Sequence, residues 1–457
     1  MNLDFSLTAM RNFYESGVTK SYEFRKSQLM KLKSVVEKYE SEIYAALYAD
    51  LKKSPEDCWT TENGLLLAEL NNAIDQLHHW MEPKKVPTNL LNIPSKSFIL
   101  NEPLGVVLII SPWNYPLQLL LKPAVGAMAA GNCMVLHSSH FAPATSALMK
   151  KMIEETFDSN YILFVEGDGA VTVPEMMNHF VFDHLMFTGS TAVGKAVYLL
   201  AAKNLVPVTL ELGGKSPCVI ESDADIKVAA RRIVSLKFSN CGQICIAPDY
   251  LLVQENVKEK MVKALIETII QFYGSDVSKT EHYGKIINEK QFNRLVAYLQ
   301  QGKILYGGNH DKSKLFIEPT VMDNVELNSP IMQEEIFGPI LPIISFKTTE
   351  EAKRIISMNK NPLAFYVFTT DTSKEKDWLN DVAFGGGCVN NAGLHFMNKN
   401  LPFGGRGFSG TGRYHGKFSF EIFSHQKSVL KSPNWFDPSM KYPPLKGKLN
   451  LLKKMIR

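Results

Sequence analysis

From Leu104 onward, short apolar runs alternate with amphipathic stretches of ten or more residues, and this alternation constrains the fold more than any other feature of the chain. "GVVLIIS", "NCMVLH", "YILFV", "HLMFT" and "VPVTLEL" read as strands. "PLQLLLKPAVGAMAAG", "APATSALMKKMIEETF" and "TAVGKAVYLLAAK" between them read as helices. Strands that are apolar along their whole length are buried on both faces, so the pattern predicts a parallel, doubly wound, Rossmann-like sheet with helices on each side. Such sheets bind ligands at the carboxyl ends of their strands. Before this region, residues 5–80 have helical spacing, and "KKVPTNLLNIPSKSFILNEP" reads as a Pro-punctuated β ribbon. A second α/β cycle runs from "SPCVI" to "LAFYVFTT". It is followed by a loop-rich segment holding ten glycines between 385 and 416. Glycine at that density lets backbone approach backbone or ligand closely, as a wall of a site requires, although a plain irregular loop fits the same residues.

Composition narrows the chemistry. In a chain of 457 residues, 50 basic residues are scattered among 46 acidic ones, without the basic block that nucleic-acid binding needs. No apolar run approaches the roughly 18 residues of a membrane span, and Met1 to Glu15 lacks a signal-peptide core, so a reducing, cytoplasmic setting is expected. The six cysteines are dispersed rather than arranged as a disulfide framework. In "NCGQICIAPD", Cys241 and Cys245 have no further ligands at zinc-site spacing, which argues against a metal. Two buried thiols, or one nucleophile with a supporting cast, both remain open.

Three other stretches bear on that choice. "SPWNYPLQ" sets Asn114 just past a strand end, where its amide either donates to a developing oxyanion or satisfies its own turn. "TLELGGKSP" ends an apolar strand on Glu211, which fits either a general base of raised pKa or a salt bridge to a nearby lysine. "FTGSTAVGKA" opens a helix whose first N–H groups suit an anion. The stretch is not GxGxxG, and it misses the P-loop because Ala196 stands where a metal-binding hydroxyl belongs. A helix start capped by Ser190 or Thr191 is the plainer reading.

Taken together, "PWNYP", "LKPAVGAMAAGN", "FTGSTAVGK", "LELGGKSP", "FSNCGQICIAPDY", "EEIFGPILP" and "LPFGGRGFSGTGRYHGKFSFEIFSHQKSVL" resemble the aldehyde dehydrogenase superfamily over nearly the whole chain, in the right order. The "APDY", the short N-terminus and the ending look most like its class 3 branch, whose members often oxidise fatty or aromatic aldehydes. The resemblance implies NAD(P)-dependent oxidation of an aldehyde to a carboxylic acid. Cys245 would be the nucleophile, with Cys241 a bystander. Asn114 and the Cys245 N–H would hold the oxyanion, and Glu211 would activate water. Gly189, Ser190, Thr191 and Gly194 would take the pyrophosphate, a reading the resemblance favours over simple capping. Glu335 and Phe337 would meet the nicotinamide ribose and ring, Trp113 would also bind the cofactor, and no metal is implied.

The resemblance also implies a layout. A Rossmann-like cofactor domain would occupy residues 1–82 and 104–211, an α/β catalytic domain 212–420, and a small β oligomerisation element 83–103 with 421–440, giving a homodimer. The chain departs from the family at "LHSSH", where His137 and His140 replace the lysine and glutamate that address the adenosine ribose. Losing that carboxylate leaves either NAD or NADP as the cofactor, or weakened binding of both. Arg406, where a small or apolar residue is commoner, is expected to alter a substrate or cofactor entrance. In the basic tail 441–457, Leu445, Leu449, Leu452 and Ile456 can share a helical face that suits docking on this protein itself, another subunit or a membrane surface. A catalytically weakened binding or assembly protein is one alternative function. An acyl-CoA-forming dehydrogenase is another, which the retained Glu211 disfavours.

Overall fold

The computed structural model describes residues 3–455. A six-stranded sheet runs from edge to edge as Gly410–Thr411, Val208–Leu212, His184–Gly189, Val106–Ile110, Cys133–His137 and Ile162–Val165. All of its neighbours are parallel except the short Gly410–Thr411 edge, which pairs antiparallel. Numbered along the chain from Val106–Ile110, the parallel strands lie in the doubly wound order 3-2-1-4-5. The direction of progression therefore reverses between Val106–Ile110 and His184–Gly189. Right-handed crossovers then place the connecting helices on opposite faces and open a crevice at that reversal.

The helices follow from local chemistry. Pro116 starts Pro116–Ala130, where its missing N–H costs nothing. Gly131 closes the helix at φ +90, where an added Cβ would strike the Arg25 guanidinium. Asp168 and Ser190 cap the two helices that flank the crevice, Gly169–His179 and Thr191–Ala202. Periodicity did not reveal Gly169–His179, because Pro174 and the preceding Gly-Asp-Gly interrupt its pattern.

A second sheet of seven strands runs Lys303–Tyr306, Thr320–Asp323, Ile340–Phe346, Tyr250–Gln254, Pro217–Ile220, Ala364–Phe368 and Gly386–Val389. It is parallel apart from its first strand. The ribbon expected near residues 84–103 is a strand pair, Lys84–Val86 with Lys96–Pro103, and Ser424–Lys431 adds a third antiparallel strand. The tail forms the exposed helix Leu449–Met455, with Leu445 and Leu449 open to solvent. Ile456 and Arg457, part of the amphipathic reading of the tail, lie outside the described residues. Among the described residues, no helix is long and apolar enough to cross a membrane.

Candidate active site

Strands of the six-stranded sheet, with loops and helices that flank the seven-stranded one, line one cavity of ≈ 2060 Å³, and most of the residues singled out in the sequence line it: Trp113, Asn114, His137, Gly189, Ser190, Thr191, Glu211, Cys245, Glu335 and Phe337. The "NCGQIC" loop is a tight structure in which nearly every residue has a separate task. Asn240 and Cys241 adopt left-handed backbone, at φ 48 and φ 53. The Asn240 amide donates to the carbonyls of Asn114 (2.9 Å) and Gln243 (3.3 Å). Gly242, at φ +72, lies so close to the "EEIFGP" segment that a Cβ there would sit 2.2 Å from the Gly338 carbonyl oxygen. Buried Gln243 donates to the Lys285 carbonyl and accepts from the Ile287 N–H, fastening the loop from behind.

The two cysteines separate clearly. Cys241 is 1% exposed and absent from the cavity lining, and burial raises its thiol to about 12. Cys245 is half-buried and lines the cavity. Burial raises its thiol well above the ordinary range, the charges of Glu335 and Glu211 add to the effect, and the N–H groups of Cys245 and Ile246 oppose it. Asn114 is buried, and its amide donates to the Gln243 carbonyl at 3.0 Å, leaving a second N–H on the same nitrogen.

Glu211 is 2% exposed, and neither carboxylate oxygen has a hydrogen-bond partner; burial raises its pKa strongly. The salt bridge to a neighbouring lysine is not made. Lys215 instead pairs with Asp249 at 2.5 Å, deep in the interior, and donates to the Glu334 carbonyl. Asp249 in turn accepts the Ile336 N–H, so this pair anchors the segment that carries Glu335 and Phe337. Lys215 and Asp249 are site-building residues that motif reading passed over. Tyr414 is another, a cavity-lining residue with a fully buried hydroxyl that has no partner. It lines the same cavity as Glu211.

The crevice suits a dinucleotide. The first turn of Thr191–Ala202 faces it with the unsatisfied N–H groups of a helix start. The Ser190 hydroxyl accepts the Val193 N–H at 3.4 Å, so capping and an anion-binding terminus coexist. Val173 and Pro174 from one flanking helix and Val193 and Val197 from the other line an apolar slot. Glu335 fits against the chain only because Gly213 has no side chain: a Cβ there would sit 1.9 Å from its Oε2. Burial, and then the charge of Asp249, raise the Glu335 carboxyl to about 8. Trp113 and Phe337 meet edge to face at 5.4 Å. Gly194 does not reach the cavity; its missing side chain admits Leu212, whose Cδ2 would lie 2.4 Å from a Cβ. Arg406 is exposed; its N–H donates to the Ser409 hydroxyl, and the Phe408 carbonyl of the same loop accepts from the cavity-lining Thr191 hydroxyl.

Comparison with known proteins agrees with this geometry. The family model described as "Aldehyde dehydrogenase family" matches residues 7–429. The chain is 44% identical over 443 residues to 4,4'-diaponeurosporen-aldehyde dehydrogenase of Staphylococcus aureus, covering 96% of each. It is 41% identical to human aldehyde dehydrogenase family 3 member B1, covering 96% of this chain and 94% of that one. Among solved structures, a substrate-bound state of Staphylococcus aureus AldH superposes with a TM-score of 0.98 at 43% identity over 100% of both chains. The NAD+ complex of a Bacillus cereus aldehyde dehydrogenase gives 0.84 at 28% identity, over 94% of this chain and 89% of that one. With its crevice, its motifs in order and a family match over most of its length, this chain belongs to the aldehyde dehydrogenase family, oxidoreductases that act on aldehydes.

Proposed function

We propose that the chain oxidises an apolar aldehyde to its carboxylic acid through a covalent adduct on Cys245, with NAD or NADP as hydride acceptor. The observation that carries this reading is Glu211: a carboxyl group buried without any partner, in the same cavity as a half-buried thiol. Such a group costs stability and is retained where chemistry needs a base of raised pKa.

The Cys245 thiol gives its proton to water, and the resulting thiolate adds to the aldehyde carbon, whose carbonyl oxygen becomes an oxyanion. The free N–H of the Asn114 amide and the Cys245 N–H are its donors. The nicotinamide, when bound, supplies the hydride acceptor that turns this adduct into a thioester. Glu211 then takes a proton from water, whose oxygen attacks the thioester carbon and expels the Cys245 sulfur as the acid leaves. A base committed to water favours hydrolysis over acyl transfer to coenzyme A.

Glu335, Phe337 and Trp113 hold the nicotinamide and its ribose in this reading. Gly189, Ser190 and Thr191 receive the pyrophosphate at the helix start, and His137 faces the adenosine ribose. The rest of the cavity is mainly apolar, with Leu65, Tyr115, Leu119, Leu236, Phe396 and Phe403 among its walls, as an apolar aldehyde requires. The domains follow the two sheets, and the outer strand Ser424–Lys431, exposed along much of its length, serves as the pairing edge of a homodimer. Docking of the tail on a membrane surface is a further part of this reading, carried by exposed Leu445 and Leu449 beside Lys448, Lys453 and Lys454.

A steady-state assay with a series of medium- and long-chain aldehydes against NAD and NADP tests the reading. Reduced cofactor and free acid in equal amounts are expected. Absence of any reduced cofactor would leave a binding or assembly role, and acid formation dependent on coenzyme A would replace hydrolysis with acyl transfer.

A further inference from the structure

The replacement of the family's lysine and glutamate by His137 and His140 leaves the adenosine end of the crevice without its usual carboxylate. The structure supplies another from a different loop. Asp168 follows the strand Ile162–Val165, lines the cavity, and holds its place by accepting the Ala170 N–H at 3.0 Å through Oδ1. The same oxygen lies 3.8 Å from Nδ1 of His140, so this carboxylate stands beside the position from which the glutamate was lost.

His137 adds a second, independent constraint. It is buried at the end of Cys133–His137, with Nδ1 2.9 Å from the Val165 carbonyl oxygen. A carbonyl only accepts, so Nδ1 carries the proton. Burial lowers the pKa of this imidazole, which keeps it neutral. Its Nε2 is therefore a bare lone pair, and it faces Gly169, where an added Cβ would stand only 3.2 Å away. Around these two acceptors, the cavity-lining residues of segments 137–141, 168–174 and 189–200 include no lysine or arginine. Nearby Lys150 is taken up by Glu166 at 2.9 Å, and neither lines this cavity.

Resting on the dehydrogenase reading above, we propose that Asp168 is a cofactor-specificity residue: with Nε2 of His137 it forms an acceptor-only mouth that takes the hydroxyls of an unphosphorylated adenosine ribose and rejects a 2′-phosphate. The chain is accordingly NAD-selective. A ribose diol brings two donors to this mouth, whereas a 2′-phosphate brings up to two negative charges and no donor to a carboxylate and a lone pair. Asp168 replaces the charge of the missing glutamate from another element of the fold.

Equilibrium titration of the full chain with NAD and with NADP, by calorimetry and without aldehyde, tests this independently of turnover. Wild type is expected to bind NAD about tenfold or more tightly than NADP, the scale of a partly screened like-charge contact. Asp168→Asn keeps a good helix cap while removing the charge, so its melting temperature should match wild type and its NADP-to-NAD Kd ratio should fall toward one. Glu166→Gln removes a nearby charge outside the cavity and should leave the ratio alone. Equal affinities in wild type, an unchanged ratio in Asp168→Asn, or the same shift in Glu166→Gln would each overturn the inference. Failure to bind either dinucleotide would overturn the dehydrogenase reading along with it.

Discussion

The Asn114 amide donates to the Gln243 carbonyl at 3.0 Å, and this bond joins the loop after Val106–Ile110 to the loop that presents Cys245. Asn240 returns the contact by donating to the Asn114 carbonyl at 2.9 Å. Two segments about 130 residues apart are thereby locked in one geometry, which the proposed pairing of an oxyanion donor with a nucleophile requires.

This arrangement distinguishes the two cysteines. Cys245→Ala should lower aldehyde oxidation by about three orders of magnitude or more, the scale of losing a nucleophile. Cys241→Ala should leave kcat within about twofold and cost only about 1 kcal/mol of stability, because Cys241 fills core rather than cavity. Initial rates and denaturant midpoints measured on both variants check this, and equal losses of activity would remove Cys245 from its role.

Gly242 carries the loop's closest backbone approach. Gly242→Ala should destabilise the protein by about 2–4 kcal/mol and depress kcat, since it combines left-handed backbone with a Cβ 2.2 Å from the Gly338 oxygen. Gly17→Ala is the control. It has a similar left-handed backbone, at φ +78 and ψ 1, with nothing within 4 Å, so it should cost only about 1 kcal/mol and leave kcat alone. Similar behaviour of the two variants would show that the contact with Gly338 does not matter.

Glu211 should make hydrolysis pH-dependent. Its carboxyl is raised by burial, so the ionised base grows with pH and kcat should climb toward the alkaline side. Glu211→Gln should flatten the profile and cut kcat by roughly 10²- to 10⁴-fold. The same shift acts on stability. A carboxyl raised in the folded state holds its proton longer there than in the unfolded chain. Its contribution is thus full below the unfolded value near 4.5 and is lost as pH rises through the folded one. Glu211→Gln should therefore gain stability relative to wild type between pH 5 and about pH 9, read from urea midpoints at both. A constant difference would show that Glu211 is not held protonated in the fold.

Much of this protein is written locally. Apolar runs of strand length, helices of ten or more residues, proline and glycine at the ends, and a ribbon punctuated by proline gave the parallel doubly wound architecture. The motifs gave the set of residues that meet in the cavity. Gly169–His179 escaped notice because Pro174 interrupts its period. A glycine in a phosphate-like motif looks the same in sequence whether or not it also admits a neighbour such as Leu212, which packs against Gly194.

The sequence by itself determined the fold class and the cysteine-bearing motif, because periodicity and short motifs depend on neighbours along the chain. Only the tertiary structure decided which cysteine faces the cavity, that Lys215 pairs with Asp249 rather than Glu211, and which nitrogen of His137 carries the proton. Each depends on a partner tens of residues away or on burial, and both come into being only when separate elements pack. The charge missing from "LHSSH" shows the same limit: the carboxylate beside it, Asp168, belongs to another strand's loop and becomes its neighbour only in the folded sheet.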